Sequence, residues 1–306
     1  MPPASTSAAD FAIDVERMAK TYGKIDAVTD VSLQIPRGEA FGFLGPNGAG
    51  KTTSVKMLLG LVAPTGGGGT VLGRPLGDRR ARAKIGYLPE LFRYHDWMTA
   101  REELAFHAGL IGLARAESAG EIAQILETVG LTLRADDRIG TFSKGMQQRV
   151  GIGVAMLGSP DLIFLDEPTS ALDPLGRRDV RALIHRLKDR GVTVFLNSHL
   201  LGEVEQTCDR VAIVARGRVV ASGPVAELVG GATGIRVMLA NVAVADPILR
   251  RYGTVAREGD WSLVTGVERT NVPAMVRELA AANVDIFALE PLIATLEQRF
   301  MEAMRT

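Results

Sequence analysis

One eight-residue segment carries glycines, a lysine and a threonine at the spacing of a phosphate-binding loop. It fits the pattern G-x-x-x-x-G-K-[ST] and consists of Gly45, Pro46, Asn47, Gly48, Ala49, Gly50, Lys51 and Thr52. The apolar run from Ala40 to Leu44 predicts a strand before the loop, and a helix is predicted from about Lys51 to Leu61. Glycines let consecutive backbone N–H groups turn toward phosphate oxygens at a helix N-terminus. The segment therefore predicts a nucleoside triphosphate site.

Within this loop, Lys51 is expected to reach the β and γ phosphates, and the Thr52 hydroxyl is expected to ligate Mg²⁺. Thr53 follows Thr52 directly and is also expected to contact the nucleotide. The alternative is an ordinary glycine-rich turn between a strand and a helix. It is disfavoured because the glycines, the lysine and the threonine all fall in register.

A second acidic element lies far downstream, where an apolar run from Asp161 ends in Asp166 and Glu167. Such a run predicts a parallel strand that is buried on both faces, with its carboxylates at the C-terminal edge. Ligands bind at that edge in α/β sheets. Asp166 suits Mg²⁺, which prefers oxygen ligands, and Glu167 is placed to orient or deprotonate an attacking water. The alternative is that these acids only cap the next helix.

The segment from Phe142 to Arg149 resembles the LSGGQ-type signature of ABC ATPases. Three positions depart from that signature: Phe142 stands for Leu, Lys144 for the first Gly and Met146 for the Gln. Ser143 and Gly145 are kept. Ser143 is expected to cap a helix from Gly145 to about Leu157 and to present free N–H groups to a phosphate that its own chain does not hold. A capping role alone is the alternative.

The resemblance implies roles for four further residues. Tyr22 looks like the aromatic that stacks on adenine, with local packing as the alternative. Glu90 stands where the Q-loop of the family usually has Gln, which keeps an oxygen ligand for Mg²⁺ and adds a negative charge. Asp173 belongs to a segment similar to the D-loop. His199 follows a strand predicted over Val192 to Leu196 and looks like the switch histidine near the γ phosphate.

The resemblance also implies a mechanism with ATP and Mg²⁺. Two ATPase subunits, as a homodimer or a heterodimer, would face head to tail. Ser143 and Gly145 of one subunit would close on ATP that is held by Lys51 of the other. Glu167 would act as the general base, and dimer closure would drive a separate integral membrane permease.

The expected fold is an α/β P-loop NTPase core of the ABC-ATPase type over residues 11–230. Alternation between Ile13 and Ile35 predicts an antiparallel β subdomain, and 64–69 is predicted to be a turn or loop. Spacing over about 91–157 predicts helices. The resemblance implies that they form the helical subdomain that meets the membrane partner, and 92–99 is the candidate docking segment, with a local core as the alternative.

The C-terminal part, residues 231–306, follows a predicted linker at 230–234 and has a different pattern. We expect a β-α-β-β-α-β order, as in a small ferredoxin-like α+β module that is regulatory, dimer-supporting or merely a structural cap. Its elements are strands at 235–239 and 284–289, a hairpin over 254–265, and helices at 247–252, 272–279 and 291–304. The ending, 292–300, is similar to the tail of ABC-2-type exporter ATPases, which favours an exporter.

Composition narrows the function further. The 306 residues include 35 basic and 35 acidic side chains, so no nucleic-acid partner is expected. Cys208 is the single cysteine, which excludes an internal disulfide. No apolar run approaches the roughly 20 residues that cross a bilayer, and 1–10 reads as a disordered tail and not a signal peptide. We expect a cytoplasmic protein on the inner face of the membrane, bound through its permease.

Two other functions remain open at this stage. One is a soluble ABC-type ATPase that acts on ribosomes or nucleic acid, against which stand the zero net charge and the single nucleotide domain. The other is a phosphotransferase kinase that uses the phosphate loop alone, which leaves the segment from Ser143 to Arg149 unexplained.

Overall fold

The computed structural model describes residues 10–170, 172–229, 234–292 and 295–305. Two compact units divide at Gly223 and Pro224. The predicted N-terminal tail, apart from Asp10, and positions 230–233 of the predicted linker lie outside the described residues.

The first unit is built on strands that surround the predicted phosphate loop. These are β1 (Phe11–Tyr22), β2 (Ile25–Pro36), β3 (Ala40–Leu44), β4 (Gly66–Val71), β5 (Arg74–Pro75), β6 (Ile85–Leu88), β7 (Leu162–Asp166), β8 (Thr193–Asn197), β9 (Arg210–Ala215) and β10 (Arg218–Pro224). Its helices are α1 (Lys51–Leu58), α2 (Arg79–Arg82), α3 (Ala100–Leu110), α4 (Arg115–Thr128), α5 (Lys144–Met156), α6 (Pro174–Asp189) and α7 (Leu201–Thr207).

A parallel group of strands, β9-β3-β8-β7-β6, forms one end of the sheet, whose order is β5-β4-β1-β2-β10-β9-β3-β8-β7-β6. Every residue of β3, β7 and β8 is buried, as the continuous apolar runs predicted. Phe195 on β8 packs between Phe43 on β3 and Phe164 on β7, at ring centroid distances of 5.3 and 4.8 Å. The packing of these rings holds together the three strands whose C-terminal ends form the predicted site.

The prediction of a loop at 64–69 is wrong, because Gly66–Val71 is strand β4 and pairs antiparallel with β1. The glycines fit an irregularity in β1, where Arg17 has a φ of 48° and the register shifts between Glu16 and Ala19. Gly67 has a φ of 67°, which other residues rarely adopt. Local glycine content indicated a turn, whereas pairing with a bulged strand decides the structure.

Two helical predictions also need correction. Helix α1 ends at Leu58 and not near Leu61, because Gly60 takes a φ of 68° just beyond it. Residues 91–99 are not helical, since α3 starts only at Ala100. Thr99 sets that start through a capping box: it accepts from the N–H of Glu102, whose carboxylate accepts from the N–H of Thr99.

The second unit follows the predicted β-α-β-β-α-β order. After α8 (Val225–Val229) it contains β11 (Gly234–Leu239), α9 (Val242–Leu249), β12 (Thr254–Glu258), β13 (Trp261–Thr265), α10 (Val272–Ala281), β14 (Ile286–Pro291) and α11 (Leu296–Arg305). Its antiparallel sheet has the order β12-β13-β11-β14 and covers a separate apolar core.

Three boundaries in this unit differ from the sequence prediction. Helix α9 begins at Val242 and includes Pro247, whereas the sequence pattern predicts the helix to start at Pro247. Strand β14 runs from Ile286 to Pro291, so the last helix begins at Leu296 and not at Pro291. Across the described residues of both units, no helix is long and apolar enough to span a bilayer.

Substituting Gly67 tests the corrected strand. In Gly67→Ala, the new Cβ would lie 2.0 Å from the main-chain oxygen of Arg17. The φ of residue 67 itself already disfavours a side chain. We expect the free energy of unfolding to fall by at least about 2 kcal/mol in urea titrations. Gly68→Ala is the matched control, since nothing lies within 4 Å of its added Cβ. Equal losses in both variants would contradict the pairing.

Candidate nucleotide-binding site

The predicted phosphate loop lies between β3 and α1, at the C-terminal edge of the parallel strands. Gly48 and Gly50 have φ values of 80° and 94°, so the chain turns through conformations that suit glycine. Gly45 and Gly50 also lie against neighbouring main chain, because an added Cβ would meet a carbonyl oxygen at 2.4 Å in either case. The bend of the loop into α1 thus depends on these glycines.

Lys51 is the first residue of α1 and is nearly buried. Its Nζ donates to the main-chain oxygens of Gly45, at 2.5 Å, and Pro46, at 3.3 Å. Burial lowers the pKa of Lys51, while the nearby carboxylates of Glu167, Asp166 and Glu90 oppose that effect. The loop therefore encloses an ammonium group that lies within electrostatic range of three acids.

Asp166 ends β7 and is only 5% exposed. Its Oδ1 accepts a 2.6 Å hydrogen bond from Nδ2 of Asn197, the residue beside it in register at the end of β8. Burial raises the pKa of Asp166, and the hydrogen bond from Asn197 partly offsets the rise. The structure thus places one buried carboxylate within electrostatic range of Lys51.

Glu167 follows directly and joins His199 to this cluster. Its Oε1 lies 2.8 Å from Nδ1 of His199, and its main-chain N–H donates to the oxygen of Asn197 at 2.8 Å. Glu167 has a φ of 51°, a strained conformation for a residue with a long side chain.

The other predicted contacts of this site lie nearer to solvent. Thr52 and Glu90 are exposed, and Thr53 is half-buried. Tyr22 is 46% exposed at the end of β1, with the Lys20 ammonium 5.2 Å from its ring centroid. An exposed ring at a strand end is available for stacking.

The residues that were compared with the family signature and D-loop, Ser143, Gly145 and Asp173, lie together at a different groove. Ser143 caps α5 by accepting from the N–H of Met146, and Asp173 caps α6 by accepting from the N–H of Gly176. These four residues and Gly145 line one groove on the surface of the first unit. Lys51, Asp166 and Glu167 do not line that groove.

The geometry fits a magnesium-bound nucleoside triphosphate. Asp166 and Thr52 offer the oxygen ligands that Mg²⁺ prefers, with Glu90 as a further oxygen donor. In the described part of the chain, no group of three His, Cys, Asp or Glu side chains is arranged to hold a metal by itself. Magnesium is commonly bound by one or two carboxylates together with substrate phosphates, so phosphate oxygens would complete such a site.

Sequence reasoning missed the contacts of two residues, Asn197 and Arg149. Asn197 touches both acids through different atoms, although only its position two residues before His199 hinted at this. Arg149 on α5 forms an ion pair with Asp179 on α6, which ties the helix after Ser143 to the helix after Asp173. These contacts join residues about 30 positions apart and leave no local pattern.

Comparison with known proteins gives a consistent result. The family described as ABC transporter matches residues 28–170. The linearmycin resistance ATP-binding protein of Bacillus subtilis is 40% identical, over 94% of this chain and 97% of its own length. The bacitracin transport ATP-binding protein of Bacillus licheniformis is 40% identical, over 68% of each chain. A solved ATP-binding subunit of an ABC transporter is 32% identical, with a TM-score of 0.62 over 70% of this chain and 90% of that one.

The raised pKa of Asp166 predicts a pH-dependent stability. Burial penalises the ionised form of Asp166 and so lowers the stability of the folded protein. This free-energy cost is absent at pH values below the ordinary carboxyl pKa of about 3.9 and fully present at pH values above the raised pKa. We expect Asp166→Asn to increase the free energy of unfolding of the nucleotide-free protein at pH 7, on the order of 1 kcal/mol. The gain should shrink as the pH is lowered toward 4, as measured by urea titration.

Asp173→Asn is the matched control, because Asp173 is exposed and Asn preserves its helix cap. This variant should change stability little at either pH. A loss of stability in Asp166→Asn at pH 7 would show that the hydrogen bond from Asn197 outweighs the cost of burial.

Proposed function

This chain belongs to the ABC transporter family as an ATP-binding subunit, and from that premise we propose that its Lys51, Asp166, Glu167 and His199 carry out ATP hydrolysis that drives export. The observation that carries the proposal is the convergence of these four side chains beside the glycine loop. ATP-binding subunits of this family are ATPases and work with membrane permeases. The residue roles, the dimer and the direction of transport are our proposals.

Each residue has a task that follows from its place. The loop N–H groups and Lys51 hold the β and γ phosphates, and Tyr22 stacks on the adenine. Glu167 accepts the proton of a water that attacks the γ phosphorus as the bond to the β phosphate oxygen breaks. His199 holds the Glu167 carboxylate and contacts the γ phosphate. Mg²⁺, held by Asp166 and Thr52 and contacted by Glu90, would neutralise phosphate charge when bound.

A second ATPase subunit, identical or similar, completes the site in this proposal. Ser143 and Gly145 face the same groove as Asp173, at the starts of two helices whose N–H groups favour an anion. Since that groove is not lined by Lys51, a phosphate held by Lys51 of one subunit would meet the groove of the other. The C-terminal unit has a regulatory or dimer-supporting role in this scheme.

The membrane partner is a separate permease. Leu91, Trp97 and Phe106 are exposed apolar side chains in or beside the 92–99 segment. Trp is enriched at interface hot spots, and we assign this surface to the permease. The named relatives serve linearmycin resistance and bacitracin transport, which supports export. The subunit would then lie on the cytoplasmic face of the membrane.

Substitution of the proposed base tests the mechanism. Glu167→Gln preserves the size of the side chain and removes the proton acceptor, so the Mg²⁺-dependent ATPase rate should fall by about 10² to 10⁴. ATP binding should persist, and the ATP-bound variant should form dimers in light scattering. Glu117→Gln on the exposed surface of α4 is the control and should retain the wild-type rate.

Two results would contradict different parts of this proposal. Hydrolysis at the wild-type rate by Glu167→Gln would remove Glu167 as the base. A wild-type protein that binds no ATP would overturn the function itself.

A further inference from the structure

We propose that Asn197 is a positioning residue that orients the Asp166 carboxylate toward the cation of the bound nucleotide. The inference rests on the proposed function, because it assumes that MgATP binds beside Asp166. It adds a residue that lies outside the phosphate loop, the acidic pair and His199.

The geometry singles out the Asn197 side chain. Asp166 and Asn197 end adjacent parallel strands in register, and both are nearly buried, at 5% and 3% exposure. The 2.6 Å hydrogen bond from Nδ2 occupies Oδ1 of Asp166. A carboxylate held at one oxygen by a buried donor cannot rotate freely, so its other oxygen keeps a fixed direction.

The amide group of Asn197 has a hydrogen-bond donor and an acceptor on separate atoms, which a hydroxyl or a hydrocarbon does not have. Ionised Asp166 only accepts hydrogen bonds, so the Asn197 nitrogen must face it and Oδ1 must point elsewhere. That Oδ1 is buried, and no described residue donates to it. Buried acceptors usually have a partner, and the water shell of a magnesium ion held by Asp166 would supply donors of the right kind.

The main chain of Asn197 links the same residue to Glu167. Its carbonyl oxygen accepts the N–H of Glu167, the residue with the strained φ of 51°. Ser198 follows, and its Oγ lies 3.5 Å from Oε2 of Glu167. One strand end therefore holds both acids, and the Asn197 side chain acts on Asp166 alone.

The test measures cation dependence in binding and not in turnover. All variants carry Glu167→Gln so that ATP is not consumed. Binding of a fluorescent ATP analogue is titrated first without divalent cation and then with increasing Mg²⁺. Asn197→Leu has a similar shape without polar atoms, and we expect it to raise the half-saturating Mg²⁺ concentration by about tenfold or more. Binding without Mg²⁺ should change less than twofold.

Two further variants keep the result interpretable. Asn197→Ser serves if the Leu variant does not fold, since its hydroxyl is too short to replace the amide, and the same shift is expected. Thr193→Val is the matched control at the other end of β8, where buried Thr193 accepts the N–H of Gly38 at 3.0 Å. This control should lower the melting temperature and leave the Mg²⁺ dependence unchanged.

The outcomes separate this inference from the function on which it rests. An Mg²⁺ requirement in either Asn197 variant that equals the parent's would overturn the positioning role. A shift of the same size in Thr193→Val would also overturn it, because general loosening of β8 would then be the cause. A parent protein that binds no ATP under any condition would instead overturn the proposed function.

Discussion

The parallel register of β3, β7 and β8 is the constraint on which the rest of the site depends. Phe43 lies beside Asn197 in that register, and Asn197 lies beside Asp166. A slip of one residue would turn every side chain of a strand to the opposite face of the sheet. The buried phenylalanines resist such a slip, because no arrangement with them on the other face keeps the same packing. Core packing in the sheet thus fixes the geometry of charged groups at its edge.

Much of this arrangement could be predicted from sequence, for identifiable reasons. Buried parallel strands appear as continuous apolar runs, so β3, β7 and β8 were predicted to within about one residue at each end. The helix cap at Ser143 was predicted because capping depends on residues close in the chain. The prediction for the glycines of β4 was wrong because the conformation of Gly67 is determined by its close approach to Arg17, about fifty residues away in the chain.

In the candidate site, too, features with a local sequence pattern could be predicted, and features that depend on residues far apart in the chain could not. The phosphate loop and the acidic pair have local patterns, and the structure places both at the C-terminal edge of the parallel strands. The amide of Asn197 has no such pattern, because its importance arises only when two strands lie side by side. The groove at Ser143 and Asp173 is intermediate: each helix start was predicted, whereas the Arg149–Asp179 ion pair that joins the two helices was not.

Lys51 donates to the carbonyls of Gly45 and Pro46, so the residue that is expected to meet a phosphate also ties the end of its own loop to the beginning. An arriving phosphate exchanges these hydrogen bonds for others and does not simply add new ones. The free energy that Lys51 contributes to nucleotide binding is therefore a difference between two sets of hydrogen bonds, and it is smaller than that of an ammonium group without internal partners.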